Sequence, residues 1–228
     1  GVGAVNRTIS DKVSDVISIR DFGAVGDGIT DDTLAIAAAL SAHASIYIPT
    51  GNYRITNTVQ ITSNKTVIGA GAASVITADS TAFNAFNIRG GYNALSDFYI
   101  DGGNTAIYME GQDAPCVQNT LQNLVIKNAN KGIVLDGGTN TNKPCYWNIL
   151  SSCLILSPNE IGIELTKSGA GDTPNANIFD ACRVYSQGSA IIGHGIYVAQ
   201  GSFYNRFQNC EINVDGTAAS CMTIGAAA

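Results

Sequence analysis

The sequence predicts an all-β chain wound as a parallel β-helix, with one short capping α-helix near its N-terminus. Three observations lead there: a motif that recurs at nearly constant spacing, a composition rich in turn formers, and the near absence of helix-period segments after residue 42. The motif reads Asn, any residue, apolar, two polar or small residues, apolar, any, apolar. It occurs as NALSDFYI from Asn93, NTLQNLVI from Asn119, NILSSCLI from Asn148, NIFDACRV from Asn177 and NRFQNCEI from Asn205. Its copies start 26, 29, 29 and 28 residues apart, a period that marks repeat architectures. With 25 glycines, abundant Ala, Asn and Thr, and only 13% charged residues, the chain reads as one β-rich domain with many turns.

In chain order, residues 1–20 read as a neck or linker, 21–90 as an N-terminal cap with the first β-helix strands, and 91–228 as coils of about 28 residues. In the cap, Gly23, Gly26 and Gly28 supply positive φ for tight turns. Thr30 is placed to cap a helix whose first turn carries Asp31 and Asp32, the favoured charge at that end. Leu34, Ala37, Ala38 and Leu40 form its apolar stripe, which would cover the open first coil.

Each later copy reads as two short strands, such as 121–126 and 132–135, neither long enough to stand alone. Strand residues alternate in direction, so Leu95, Leu121, Leu150, Phe179 and Phe207 share the inward side with Phe98, Leu124, Cys153, Cys182 and Cys210. Ile100, Ile126, Ile155, Val184 and Ile212 follow inward, with a bend or bulge implied between. A second inward pair comes after a turn: Ile107 with Met109, Ile133 with Leu135, Ile163 with Leu165, Ile196 with Val198, Met222 with Ile224. Like residues then stack at the ~4.8 Å interstrand spacing, and each short strand pairs with its copies above and below.

The repeated asparagines fit an amide ladder at a bend. Asn104, Asn130 and Asn159 precede the second strand, where asparagine tolerates a left-handed turn. Cys153, Cys182 and Cys210 read as small core fillers with free thiols; Cys116 and Cys145 lie one coil apart, and their pairing stays open. Asp101 with Lys127, and Arg183 with Glu211, read as cross-coil ion pairs that hold register.

A net charge of −6 argues against nucleic acid. No apolar stretch approaches the ~20 residues that span a bilayer, and the N-terminus lacks the order of a signal peptide. No metal-ligand spacing is present and no cofactor is implied.

The stretch ISIRDFGAVGDGITDDTLAIAAAL at 17–40, followed by SIYIPTGNYRI from Ser45 and GAG from Gly69, resembles the pectate-lyase-like superfamily in the form found in bacteriophage tailspikes. The preceding NRTISDKVSDV resembles the neck that joins a tailspike to the virion. The resemblance implies a right-handed, single-stranded parallel β-helix in a homotrimer. It also implies a virion-tail location, attachment through the N-terminus, and binding or depolymerisation of a bacterial cell-surface polysaccharide. It carries no active-site positions across.

Candidate site residues therefore come from geometry. Outward positions of the second strand stack Tyr108, Val134, Glu164 and Tyr197, and the next position stacks Glu110 on Asp136. Two carboxyls one coil apart would sit near the ~5 to 5.5 Å used by retaining glycosidases, so Glu110, Asp136 and Glu164 are the catalytic candidates, against a solvated turn. The longest insertions all leave after that strand and carry Tyr146, Trp147, Phe203 and Tyr204. Tyr108, Tyr146, Trp147 and Tyr197 are the substrate-binding candidates, Trp147 reading equally as a sugar platform or a packed lid. His194 reads as a turn residue. Outward Val125, Val134 and Leu154 would be left wet in a monomer, which supports trimerisation. A noncatalytic tail adhesin and a free polysaccharide-degrading enzyme remain as alternatives, and the chain reads as a possible fragment of a longer tailspike.

Overall fold

The computed structural model describes residues 6, 8, 9, 16–186, 193–215 and 220–225. Most of the neck, residues 1–5, 7 and 10–15, lies outside them. Among the described residues the chain winds into three parallel sheets of eight, seven and seven strands, each strand pairing with its equivalents one coil before and after. The β-helix is thus present, but each repeat contributes three strands rather than two. In the repeat from Asn119 these are Thr120–Gln122, Val125–Lys127 and Lys131–Asp136, one in each sheet.

The bend inside the motif makes the difference. Asp97, Asn123, Ser152, Ala181 and Asn209 all take left-handed φ, between 51° and 61°. At each turn the amide still reaches the next coil: Asn123 N–H donates to Ser151 O at 3.2 Å, and Ser152 N–H to Asp180 O at 2.9 Å. The left-handed residue turns the chain without orphaning a backbone donor. Asn104, Asn130 and Asn159 do not take that conformation; they form a second, exposed amide ladder, Asn130 Nδ2 to Asn104 at 3.3 Å and Asn159 Nδ2 to Asn130 at 3.0 Å.

The register is as the motif required. Leu95, Leu121, Leu150, Phe179 and Phe207 are consecutive partners, and the first four are fully buried. Phe179 and Phe207 stack with centroids 4.4 Å apart. Cys153 and Cys182 fill the adjoining inward column as free thiols, and Cys116 and Cys145 are likewise buried and free.

A steric column pins the third sheet. Ala106 is buried, and Gly132, Gly162 and Gly195 stand at the equivalent places in the next coils. A Cβ on Gly132 would meet Ile155 Cγ2 at 2.7 Å; on Gly162, Val184 Cγ1 at 2.5 Å; on Gly195, Ile212 Cγ2 at 2.3 Å. The corner between second and third sheets therefore has room for little beyond a hydrogen.

The helix spans Thr33–Ala42 and covers the N-terminal end. It buries Ile36, Ala39 and Leu40 into the core, while Leu34 is 82% exposed and Ala38 is exposed, so of the expected stripe Leu40 turns inward and Ile36 and Ala39 complete the buried face. Thr30 does not cap it. Residues Asp27–Asp31 form an edge strand, and Asp31 Oδ1 accepts from Thr33 N at 3.0 Å. Asp32 is 1% exposed and accepts from the amides of Val25 at 2.7 Å and Gly26 at 3.1 Å. Both aspartates serve the backbone, but neither lies in the helix's first turn, and Asp32 holds the preceding turn rather than capping the helix.

Candidate functional site

The third sheet carries Glu110, Lys131, Asp136 and Glu164. Its strands Thr105–Glu110, Lys131–Asp136, Ile161–Thr166 and His194–Ala199 align Tyr108, Val134, Glu164 and Tyr197 in one column and Glu110, Asp136 and Thr166 in the next. The loop that follows Ile161–Thr166 brings Ser168 against this face. On it lies a cleft of about 410 Å³ lined by Tyr108, Lys131, Val134, Asp136, Glu164 and Ser168, among others.

Asp136 lines the cleft and is 1% exposed. Its Oδ1 accepts from Gly138 N at 2.6 Å and Ser168 N at 2.9 Å, while Oδ2 accepts from the Tyr108 hydroxyl. Burial, with the hydrogen bond to this carboxylate, pushes the Tyr108 hydroxyl well above its ordinary range. Tyr108 is therefore a fixed donor rather than a base. Glu164, 8% exposed, pairs with Lys131 Nζ at 2.7 Å. Glu110 turns to Arg89, whose other nitrogen reaches Asp113 at 3.5 Å, and it does not line the cleft.

The structure thus brings Tyr108, Asp136 and Glu164 into one cleft and leaves the remaining sequence candidates elsewhere. Glu110 and Asp136 are register partners, yet each carboxylate has its own partner. Asp136 and Glu164 are diagonal neighbours, one coil up and two residues back. Tyr197 continues the outward column and its ring lies 5.4 Å from that of His194, which approaches Thr223 Oγ1 at 3.0 Å. Tyr146 donates to Asp172 at 3.1 Å, beside the exposed Trp147, on the edge leading into the first sheet.

Lys131 was missed because its outward direction depends on the glycine corner beside it, and Ser168 because its backbone amide, not its side chain, makes the contact. Two other expectations change. Val134 is 2% exposed, covered within one chain, so it does not argue for trimerisation. Asp101 and Lys127 are register partners, but Lys127 Nζ sits 5.1 Å above the Tyr99 ring and Asp101 accepts from Asn128 Nδ2 at 2.8 Å. Arg183 and Glu211 do pair, at 3.7 Å. Among the described residues no group of three His, Cys, Asp or Glu side chains is placed to hold a metal, and no helix is long and apolar enough to cross a membrane.

Residues 16–91 match the family described as Rhamnogalacturonase A/epimerase, pectate lyase-like. A pre-neck appendage protein of Bacillus phage B103 is 35% identical over 95 residues, covering 38% of this chain and 11% of that protein. Mannuronan C5-epimerase AlgE1 of Azotobacter vinelandii is 30% identical over 141 residues, 48% of this chain and 10% of its own length. The chain therefore spans about a tenth of the curated relatives it matches. Among solved structures, tailspike protein 2 of the Escherichia coli bacteriophage CAB120 superposes over 92% of this chain and 31% of its own, with a TM-score of 0.67 at 14% identity. That likeness bears on architecture.

Proposed function

Starting from a pectate-lyase-like β-helix module of the phage-tail kind, the premise that matched sequence and fold support, we propose that this chain binds a bacterial surface polysaccharide on the outward face of its third sheet and cleaves it there. The observation that carries the reading is the convergence of Asp136, Glu164, Tyr108 and Lys131 on one open cleft. Their offset of one coil rise (~4.8 Å) and two strand residues (~6.6 Å) separates the two carboxylate-bearing backbones by ~8 Å. Inverting hydrolysis, in which carboxyls ~6.5 to 9.5 Å apart leave room for a water, is the reaction proposed for two side chains that leave backbones so spaced and turn to different partners, Asp136 to Tyr108 and Glu164 to Lys131.

In this reading Asp136, held by two amides and a tyrosine hydroxyl, positions and activates the water. Glu164, once a sugar displaces Lys131 from it, takes up a proton from solvent and gives it to the leaving oxygen as the glycosidic bond breaks, while Asp136 keeps the proton drawn from the attacking water. Attachment to the virion tail through the N-terminus and assembly as a homotrimer belong to the same reading.

A binding-only adhesin is the second reading, favoured by the fact that Asp136 and Glu164 already have partners. Incubation with capsules and lipopolysaccharides of candidate hosts separates the two. New reducing ends support hydrolysis, absorbance from an unsaturated uronate indicates elimination, and retention of the protein on an uncut glycan supports the adhesin.

A further inference from the structure

The asparagine ladder fixes a second column that the carboxylate cleft does not use. The residues just before each rung, Asn64, Tyr92, Gln118, Trp147, Ala176 and Tyr204, share one left-handed backbone conformation, with φ between 55° and 63°. Consecutive rungs are hydrogen-bonded to each other, so these six positions lie in line along the solenoid. A left-handed φ is a genuine outlier for a bulky aromatic residue, and it is kept here at three of them.

The turn holds those rings out. Tyr92 is 61% exposed, Trp147 59% and Tyr204 90%. They occur at every second coil, with Gln118 and Ala176 in the gaps, so successive platforms are ~9.6 Å apart, twice the ~4.8 Å coil rise.

We propose that this column is a saccharide-stacking track for an uncharged polysaccharide lying along the solenoid axis in an extended twofold-ribbon conformation, the shape made by equatorial linkages. In such a ribbon alternate sugars are flipped, so the same apolar ring face recurs at every second unit, the interval of the aromatic platforms. Aromatic faces suit the apolar side of a pyranose. The outward row of the first sheet beside the track is Thr120, Ile149, Ile178 and Arg206, and the row beyond it, Gln122, Ser151, Asp180 and Gln208, offers donors and acceptors to ring hydroxyls. The chain's net charge of −6 disfavours a polyanion.

The inference rests on the polysaccharide-binding reading and adds a place and a chain conformation to it. Trp147 is the only tryptophan, so its emission reports on the middle of the track. The experiment titrates the intact chain with cello-oligosaccharides of two to six units and, in parallel, with axially linked malto-oligosaccharides. The expected result is a blue shift with the first series, with affinity stepping up at three units, when two platforms are first bridged, and again at five. Tyr92→Ala and Tyr204→Ala each weaken binding of the longer sugars by about three- to tenfold. Trp147→Tyr retains binding with the fluorescence change lost, read instead by affinity electrophoresis in hydroxyethyl cellulose.

No response to either series, equal response to both, or affinity that ignores Tyr92 and Tyr204 overturns the proposal. So does a Trp147→Ala chain that sediments as a smaller oligomer than the parent, which would make the column an interface between copies. Release of reducing ends from a host glycan is measured alongside. Its persistence when the track fails leaves the cleft reading standing, and its loss with the track intact removes the cleft alone.

Discussion

Asn148 Oδ1 accepts two hydrogen bonds from Asn119, one from Nδ2 at 2.9 Å and one from the backbone amide at 3.0 Å, while Asn148 repeats both as donor to Asn177. A third contact, Asn148 Nδ2 to Cys116 O at 3.0 Å, ties it to the coil below. One buried side chain thus stitches three coils. Asn148→Ala leaves two donors of Asn119 without an acceptor in a dry site, at about 1 to 3 kcal/mol each before relaxation. The expected outcome is a clear fall in Tm, whereas Asn159→Ala, on the exposed ladder, shifts it little. Thermal unfolding by circular dichroism compares the two.

The glycine corner makes a second prediction. Gly162→Ala puts a methyl group 2.5 Å from both Val184 Cγ1 and Gly195 O, and overpacking of this kind costs about 1 to 3 kcal/mol. Adding Val184→Ala opens the side-chain half of the clash. Urea denaturation should show the pair less destabilised than the sum of the single variants.

Much of this was legible beforehand, because a parallel coil repeats its sequence where it repeats its geometry. Leu121, Leu150 and Phe179 could be stacked from spacing alone. The split into three sheets was not readable, since its cause is a left-handed residue whose identity varies from Asp97 to Asn123 to Ala181, with no side-chain signal in common. Asp31 and Asp32 were recognisable as structural, but the helix face was set by what lies beneath it, so Ile36 rather than Leu34 turned inward. At the site, the columns of Tyr108 and Glu164 followed from alternation. Lys131 did not, because its direction is set by the glycine corner beside it, nor did the turn of Glu110 toward Arg89, which precedes the first copy of the motif.

Alkaline pH tests the Tyr108 to Asp136 contact. Burial and the adjacent carboxylate raise the folded pKa of Tyr108 above its ordinary value of 10.0. Above about pH 10 the unfolded chain loses that proton first, so the folded state binds more protons and stability falls as pH rises. Tyr108→Phe removes this contribution. Its stability should decline less steeply than that of the parent between about pH 10 and 11.5, followed by chemical denaturation at several pH values.

Lys131 is expected to be a partner whose loss harms and whose joint removal does not. Lys131→Met leaves Glu164 mostly buried without its cation and should lower stability by about 1 to 2 kcal/mol, a buried-pair cost discounted for partial exposure. Lys131→Met with Glu164→Gln should recover most of it, as measured by urea midpoints.

The cleavage proposed for the cleft is tested most directly by product release from a host surface polysaccharide. Asp136→Asn and Glu164→Gln are each expected to lower the rate at least a hundredfold while the protein stays folded and bound to the glycan, with Glu110→Gln near the parent rate. Unchanged turnover in both cleft variants would contradict the assignment and return the chemistry to another part of the surface.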